Sequence, residues 1–205
     1  MKKNKISKNW LIKQNKDSFF RQSKIQGYRS RSAFKLMEMN KKFKFLKKNS
    51  SLLDLGSSPG GWSQVARKEM VKGKILAVDV IPMKKINNVD FINGDFCDVN
   101  ICKKITLYFN NKIDVVLSDM ATNTSGNKTL DSHRTGELCI NAMNLAKKIL
   151  VSDGVFLSKI FMGSIFKEIN EKAKNSFKDV VRYKPLSSKK ESKEIYIFCK
   201  GILKI

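Results

Sequence analysis

The chain has 205 residues, enough for one domain with a full hydrophobic core. It carries 41 lysines and arginines against 18 acidic residues, so its formal net charge is +23. Such a charge favours polyanionic partners, above all nucleic acids, and the sequence lacks the long apolar run of a membrane-spanning helix. The four cysteines and the single histidine lack the spacing of a metal site, which predicts reduced, buried thiols in a cytoplasmic protein without a metal.

The N-terminal segment, residues 1–27, is polar and basic, and its aromatic side chains are scattered rather than periodic. This composition predicts a flexible arm, which either orders on RNA or remains a solvated tail. No internal repeat and no further linker interrupts the rest of the chain. We therefore expect a single folded domain over residues 28–205.

A helix is expected directly after this arm. Leu36, Met39 and Phe43 fall on one helical face. Either Ser30 or Ser32 can cap the first turn, because a serine hydroxyl accepts a hydrogen bond from the free backbone N–H groups there.

A glycine-rich turn between a strand and a helix follows. Leu52, Leu53 and Leu55 form a short apolar run, typical of a parallel strand that is buried on both faces. The loop G-S-S-P-G-G ends this strand, and a helix begins near Trp62. Strand, glycine loop and helix form the nucleotide-binding corner of a doubly wound α/β fold.

The loop also restricts the ligand. It matches neither the dinucleotide fingerprint G-x-G-x-x-G nor the phosphate loop G-x-x-x-x-G-K-[ST]. Asp54 inside the strand, followed by a loop without phosphate-binding features, suits a nucleoside that carries positive charge. S-adenosylmethionine, which has a sulfonium and an amino group, fits this pattern. The alternative for such a loop is a tight turn that binds no ligand.

Strands and helices alternate along the remaining sequence. Strands are predicted at 52–55, 74–79, 89–93, 113–118, 154–161, 178–183 and 194–200. Helices are predicted at 28–43, 62–71, 99–109 and 136–150. A further helix is predicted after the fifth strand, ending near residue 175. A loop is expected at 121–134. The alternation implies an α/β, Rossmann-like fold with a mostly parallel seven-stranded sheet and helices on both faces. The last two strands, joined without a helix, should pair antiparallel.

Acidic residues follow several of these strands. Asp79 ends the second strand, about two dozen residues after the glycine loop, where an acid accepts hydrogen bonds from ribose hydroxyls. Asp95 follows the third strand, where an adenine edge would lie. Each residue alone is equally typical of an ordinary turn. Together with Asp54 and Asp119 at neighbouring strand ends, they favour a ligand site.

Seven sequence blocks, in order, resemble the FtsJ family of S-adenosylmethionine-dependent ribose 2′-O-methyltransferases over residues 20–203. They are R-S-R-S-A-F-K-L at 29–36, D-L-G-S-S-P-G-G-W-S-Q at 54–64, D-V-I-P-M at 79–83, G-D-F at 94–96, S-D-M-A at 118–121, K-I-F at 159–161 and S-K-E-I-Y at 192–196. The resemblance implies a methyl-donor site that comprises Gly60, Trp62, Asp79, Asp95 and Asp119.

The resemblance also implies a catalytic set of two lysines and two acids. Lys159 ends an apolar strand and is the candidate base, or the group that orients the acceptor hydroxyl. Asp119 would align Lys159 and lie near the charged end of the donor. Lys35 would supply a second cation or hold the substrate, and Glu194 would position a lysine or the ribose.

Two positions depart from the family pattern. Thr122 stands where the family has proline, and Met162 stands where it has glutamine. Neither change removes a catalytic side chain, but both are expected to alter loop stiffness or an RNA contact.

The blocks match best the members that act on the large ribosomal subunit. This implies a uridine in the A-loop of 23S rRNA as the target, and a monomer without a membrane contact. A tRNA methyltransferase of the same family and a non-catalytic RNA-binding assembly factor stay open as alternatives. A nicotinamide-dependent oxidoreductase is disfavoured by the missing G-x-G-x-x-G.

Overall fold

In the computed structural model, which describes residues 17–110, 112–122, 126–163 and 165–203, helices and strands alternate as predicted. The strands are β1 (Leu52–Leu55), β2 (Ile75–Asp79), β3 (Asp90–Asn93), β4 (Ile113–Ser118), β5 (Leu150–Phe161), β6 (Phe177–Tyr183) and β7 (Glu194–Ile202). The helices are α1 (Ser18–Ile25), α2 (Ser32–Phe43), α3 (Gly61–Glu69), α4 (Val99–Tyr108), α5 (Lys128–Ile149) and α6 (Phe166–Lys174).

The strands form one sheet in the order β3-β2-β1-β4-β5-β7-β6. β7 runs antiparallel to both β5 and β6, and the other pairs are parallel. The prediction of a mostly parallel sheet with one antiparallel strand is confirmed. The strand order reverses between β1 and β4, and the carboxyl ends of these strands border the crevice where such sheets bind ligands.

Each face of the sheet has its own hydrophobic core. Leu53 and Phe156 belong to the core that includes side chains of α4, α5 and α6. Leu52 and Leu157 belong to the core that includes side chains of α2 and α3. Neighbouring strand residues lie in opposite cores because side chains alternate between the two faces of a sheet. This burial on both faces explains the continuous apolar runs in the sequence.

The N-terminal segment differs from the prediction where it is described. Its residues 1–16 lie outside the described residues, but 17–27 contain helix α1 rather than a flexible chain. Asp17 caps this helix by accepting a hydrogen bond from Phe20 N at 3.1 Å, and it pairs with Arg31. The rings of Phe19 and Phe34 lie 5.5 Å apart. Contacts with α2 thus order a segment whose composition alone resembles a tail.

The expected serine cap of α2 is also absent. The helix begins after Arg31 without a side-chain cap. The hydroxyls of Ser30 and Ser32 lie 2.7 Å from each other instead. Leu36 and Met39 are buried as predicted, and Phe43 is partly buried against the same core.

Helix α5 begins eight residues before its predicted start at residue 136, inside the region predicted as a loop. Asn127 caps it by accepting hydrogen bonds from Thr129 N and Leu130 N at 3.1 and 3.2 Å. Polar first turns exposed to solvent carry no apolar periodicity, which is why the sequence pattern missed them. His133 therefore lies on a helix, half exposed and 3.6 Å from Glu137, rather than in a loop.

The prediction of buried thiols holds for Cys139 and Cys199, whereas Cys97 is exposed and Cys102 is partly buried. All four are free thiols. None of the helices in the described ranges combines the length and apolar character needed to cross a membrane.

Candidate active site

A cavity of about 580 Å³ lies at the carboxyl ends of the first four strands. Gly56 and Ser58 line it after β1, Asp79 at the end of β2, Asp95 after β3 and Asp119 after β4. The sheet therefore brings together three of the acids that the sequence placed at strand ends. The volume of the cavity lies within the range of small-molecule sites in proteins.

Gly56 shows why the loop after β1 contains glycine. Its φ is +71°, a conformation that residues with a side chain rarely adopt. A Cβ atom at this position would lie 2.3 Å from Met120 Cγ and 3.1 Å from Met120 N. Glycine thus allows the loops after β1 and β4 to approach each other beside the cavity.

Backbone donors hold two of the cavity carboxylates in place. The carboxylate of Asp79 accepts hydrogen bonds from Ser58 N and from Ile81 N, each at 2.8 Å. Asp95 Oδ1 accepts one from Cys97 N at 2.8 Å. Since a carboxylate oxygen has two lone pairs, these side chains keep acceptor capacity for a ligand.

The other two residues of the predicted donor site do not line this cavity. Gly60 has a φ of +110°, and a Cβ there would lie 2.9 Å from Arg29 Nη1. Trp62 is 2% exposed, and its indole N–H donates to Ser32 O at 2.9 Å. Both lie at the start of α3, so they fix the turn that connects Ser58 to this helix.

Asp54 is buried away from the cavity lining. Its Oδ2 accepts a hydrogen bond from Ser63 Oγ at 2.6 Å. Burial raises the pKa of Asp54 to about 7, and the negative charges of Asp119 and Asp79 add to this, whereas the bond from Ser63 opposes it. The sequence grouped Asp54 with the ligand-facing acids, but the structure places it beneath them, between β1 and α3.

Lys159 and Asp119 form the first charged pair of the predicted catalytic set. Lys159 Nζ lies 3.1 Å from Asp119 Oδ1 and donates to the backbone oxygen of Asp119 at 2.5 Å. The lysine side chain is only 9% exposed. Because β4 and β5 are parallel neighbours, their carboxyl ends bring these residues together at the edge of the cavity.

Lys35 and Glu194 form the second pair. Lys35 Nζ, on α2, donates to Glu194 Oε1 at 2.5 Å, and both side chains are 12% exposed. Ser188 Oγ donates to the same carboxylate oxygen at 3.0 Å. An α2 residue thus reaches the start of β7, 159 positions further along the chain.

Tyr196 connects the two pairs, and the sequence assigned it no role. Its hydroxyl donates to Asp119 Oδ1 at 2.9 Å, and Lys35 Nζ lies 5.8 Å from its ring centroid. Tyr196 is opposite Lys159 in the register of β5 and β7. Burial, and then the negative charge of Asp119, raise its pKa well above the ordinary value, so its hydroxyl stays protonated.

The signal that would have identified Tyr196 is the alternation of β7. Residues two apart on a strand share a face, so Tyr196 lies on the same face as Glu194. The arrangement joins two lysine–carboxylate pairs and a protonated phenol next to a carboxylate-lined cavity. Such a site can bind a cationic ligand and orient a hydroxyl beside it. Within the described ranges, His, Cys, Asp and Glu side chains form no cluster of three or more suited to a metal ion.

Comparison with known proteins gives consistent matches. The model of the FtsJ-like methyltransferase family matches residues 28–202. Ribosomal RNA large subunit methyltransferase E of Pelagibacter ubique is 50% identical over 200 residues, covering 98% of both chains. The protein of the same name from Rickettsia akari is 42% identical over 197 residues, covering 93% of this chain and 87% of the relative.

A solved structure agrees with these matches. A ribosomal RNA methyltransferase from Plasmodium falciparum superposes with a TM-score of 0.78 at 34% identity, over 87% of this chain and 100% of that one. Since the family match spans nearly all of the sheet and its helices, the chain belongs to the FtsJ-like methyltransferase family.

Proposed function

We propose that this protein transfers a methyl group from S-adenosylmethionine to a ribose 2′-hydroxyl of large-subunit ribosomal RNA, at a uridine of the 23S A-loop. The observation that carries the proposal is the buried Lys159–Asp119 pair at the edge of a carboxylate-lined cavity. The names of the relatives from Pelagibacter and Rickettsia support the ribosomal substrate.

The cavity fits this methyl donor. In a chain with a net charge of +23, it gathers three carboxylates and suits a cation with hydroxyl groups rather than a pyrophosphate. S-adenosylmethionine supplies an activated methyl group on a sulfonium. Asp79 would accept hydrogen bonds from ribose hydroxyls, Asp95 would contact the adenine edge, and Asp119 would lie near the positive charge. Gly60 and Trp62 would act through the turn that they fix.

Lys159 is proposed to act on the acceptor hydroxyl. A protonated hydroxyl is a poor nucleophile, so an enzyme must orient it and help its proton leave. An ammonium group has three donors, and Lys159 has two acceptors on Asp119, which leaves one position for the ribose oxygen. At that position Lys159 is proposed either to orient the oxygen by donating to it or to serve as the base that takes the hydroxyl proton.

The second pair is proposed to hold the substrate. Lys35 supplies a cation for the ribose or the adjoining phosphate, and Glu194 fixes its direction through their hydrogen bond. A 2′-hydroxyl is present only in RNA, and an unpaired nucleotide is easier to reach than a paired one. Since the cavity and both pairs form within one chain, we infer that the protein acts as a monomer. Its ribosomal substrate implies the cytoplasm.

A methyl-transfer assay tests the proposal. Large ribosomal subunits, naked 23S rRNA and tRNA from cells that lack this protein are incubated with it and with tritiated S-adenosylmethionine. We expect label in the large subunit, at a 2′-oxygen of one uridine when the modified position is mapped. If only tRNA is labelled, the protein is a tRNA methyltransferase and the ribosomal substrate is wrong. Binding to RNA without any methyl transfer would indicate a non-catalytic assembly factor.

A further inference from the structure

A second cavity of about 340 Å³ lies next to the candidate active site. Part of its wall is formed by the segments that adjoin β4, β5 and β7, the strands next to or on which Asp119, Lys159 and Glu194 lie. Thr122 follows Asp119 by three residues, and Met162 follows Lys159 by three. Lys193, in the third wall, directly precedes β7. The cavity is therefore positioned to receive the part of the substrate that is attached to the reacting ribose.

The two cavities share two wall residues. Ala121 and Thr122 line both, so the donor cavity and the second cavity meet just beyond Asp119. Lys159 Nζ is bonded to Asp119 at this junction. A ribose whose 2′-oxygen contacts Lys159 would therefore have the methyl donor on one side and the second cavity on the other.

The walls of the second cavity suit a flat ring with polar edges. Ala121, Phe161 and Met162 supply apolar surface, which packs well against the face of an aromatic heterocycle. Ser132 and Thr135, on α5, add hydroxyls, and these residues are only 8% and 1% exposed. Nucleobases taken out of a stack are bound by contacts of this kind, with apolar contacts to their faces and hydrogen bonds to their edges.

Two of the hydroxyls lack partners. Ser132 Oγ and Thr122 Oγ1 are buried from solvent and have no hydrogen-bond partner among the described residues. Such a group is costly to bury, and its presence in a binding wall is explained when a ligand completes its bonding. Both residues line the cavity, so the polar edge of a ring bound there is a suitable partner for their hydroxyls.

The two departures from the family pattern fall in this same cavity. By the resemblance described above, Thr122 stands where the family has proline and Met162 stands where it has glutamine, and both residues line this cavity. These positions are 40 residues apart in the sequence, yet both lie in the wall of the same cavity. Their shared place in a cavity next to the proposed catalytic pair favours contact with the substrate.

We propose that this cavity holds the unstacked base of the nucleotide that is methylated, and that Ser132 and Thr122 read its edge. The inference rests on the proposed function, because it assigns a place to the substrate of that reaction. It adds a determinant of which base is accepted: Ser132 lies outside the donor cavity, and Thr122 lies where the two cavities meet.

Base discrimination provides the test. Large subunits are prepared with each of the four bases at the mapped target position, and kcat/KM is measured for each. The wild-type protein should prefer one base by at least about tenfold, the scale expected of a specific pocket. In Ser132→Leu the larger, apolar side chain would occupy part of the cavity. For that variant kcat/KM with the preferred base should fall at least about tenfold, and the four rates should converge. Asn144→Leu, an exposed position on the same helix, should keep both rate and preference.

Further measurements separate the possible failures. Ser132→Ala deletes the hydroxyl without filling space, so it should fold normally and show a weaker preference, with donor affinity by calorimetry unchanged. Unaltered discrimination in both Ser132 variants, or a wild type that does not discriminate, overturns the base site while the methyltransferase assignment stands. Absence of transfer by the wild type to every subunit rejects the proposed function, and the base site with it.

Discussion

At the scale of single residues, Lys159 is notable because it is charged in a strand of apolar neighbours. Phe156, Leu157 and Ile160 around it are fully buried. An ammonium group in such surroundings is costly unless it is paired and hydrogen-bonded. Asp119 supplies both an ion pair and a backbone acceptor. Two acceptors thus stabilise a single ammonium group, which favours a catalytic over a structural role for Lys159.

Replacing Lys159 with methionine keeps the length of the side chain and removes the nitrogen. We expect methyl transfer to fall at least about 10²-fold, the usual contribution of a general base. Affinity for S-adenosylhomocysteine, measured by calorimetry, should stay within about threefold because Lys159 does not line the donor cavity. Lys167→Met, at a side chain that is 88% exposed, is the matched control and should be fully active. Turnover close to normal in Lys159→Met would remove this residue from the mechanism.

Asp54 predicts a pH dependence of stability. The folded protein holds this proton up to about pH 7, whereas the unfolded chain releases it near 3.8. Between these values the folded state binds the extra proton, so the free energy of unfolding falls as the pH rises. We expect Asp54→Asn to lack this contribution. The stability of the wild type relative to that variant should drop by about 2 kcal/mol from pH 5 to pH 7, measured by urea unfolding. A difference that is constant with pH would contradict the raised pKa.

At the scale of elements, the pairing of β5 with β7 assembles the site. The antiparallel register places Lys159 opposite Tyr196 and Phe161 opposite Glu194. Because side chains alternate along each strand, these four residues share one face of the sheet. A slip of one residue would turn all of β7 to the other face and separate Tyr196 from Asp119. The register, more than any single contact, positions Lys159 and Glu194, which are half of the proposed catalytic set.

The cap of α4 allows a stability change to be separated from function. Asp98 Oδ1 accepts hydrogen bonds from Asn100 N and Ile101 N at 2.7 and 3.2 Å. Asp98→Ala should lower the free energy of unfolding by about 1 kcal/mol, and Asp98→Asn, which can still cap, should lose much less. Since Asp98 lines neither cavity, methyl transfer at saturating substrate should be unchanged for both variants below their melting temperatures. A loss of activity in Asp98→Ala, measured under those conditions, would show that α4 contributes to the site.

At the scale of the whole molecule, the net charge of +23 dominates the encounter with RNA. Acidic side chains are few, and three of them line the cavity that we propose binds the methyl donor. The protein thus combines a high positive net charge with a cavity lined by carboxylates. The positive net charge attracts a polyanion such as RNA, whereas the carboxylates of the cavity favour a cationic ligand.

The affinity for RNA should therefore depend steeply on salt, unlike the affinity for the donor. With about five phosphates neutralised, raising KCl from about 50 to 200 mM should weaken RNA binding by about 10²-fold through counterion release. Fluorescence anisotropy with a labelled rRNA fragment measures this slope. The affinity for S-adenosylhomocysteine, which binds in a recessed cavity, should fall by less than about threefold over the same range of KCl concentration. A flat response for RNA would mean that the basic surface reflects composition alone.

The sequence by itself determined the order of the elements and the strand–loop–helix turn at Gly56. Both follow from local rules: apolar runs mark buried strands, and glycine marks the turn that needs a positive φ. Local rules failed for α1 and for the start of α5. The first depends on packing against α2, and the second depends on a cap without an apolar pattern.

Only the tertiary structure decided how the predicted site residues meet. The motifs named Lys35, Glu194, Lys159 and Asp119, but the pairing of the first two and of the last two depends on helix packing and strand register. The role of Tyr196 as their connection and the second cavity depend on the same long-range geometry. Residues far apart along a chain come into contact through the fold as a whole, and local sequence preference carries little information about such contacts.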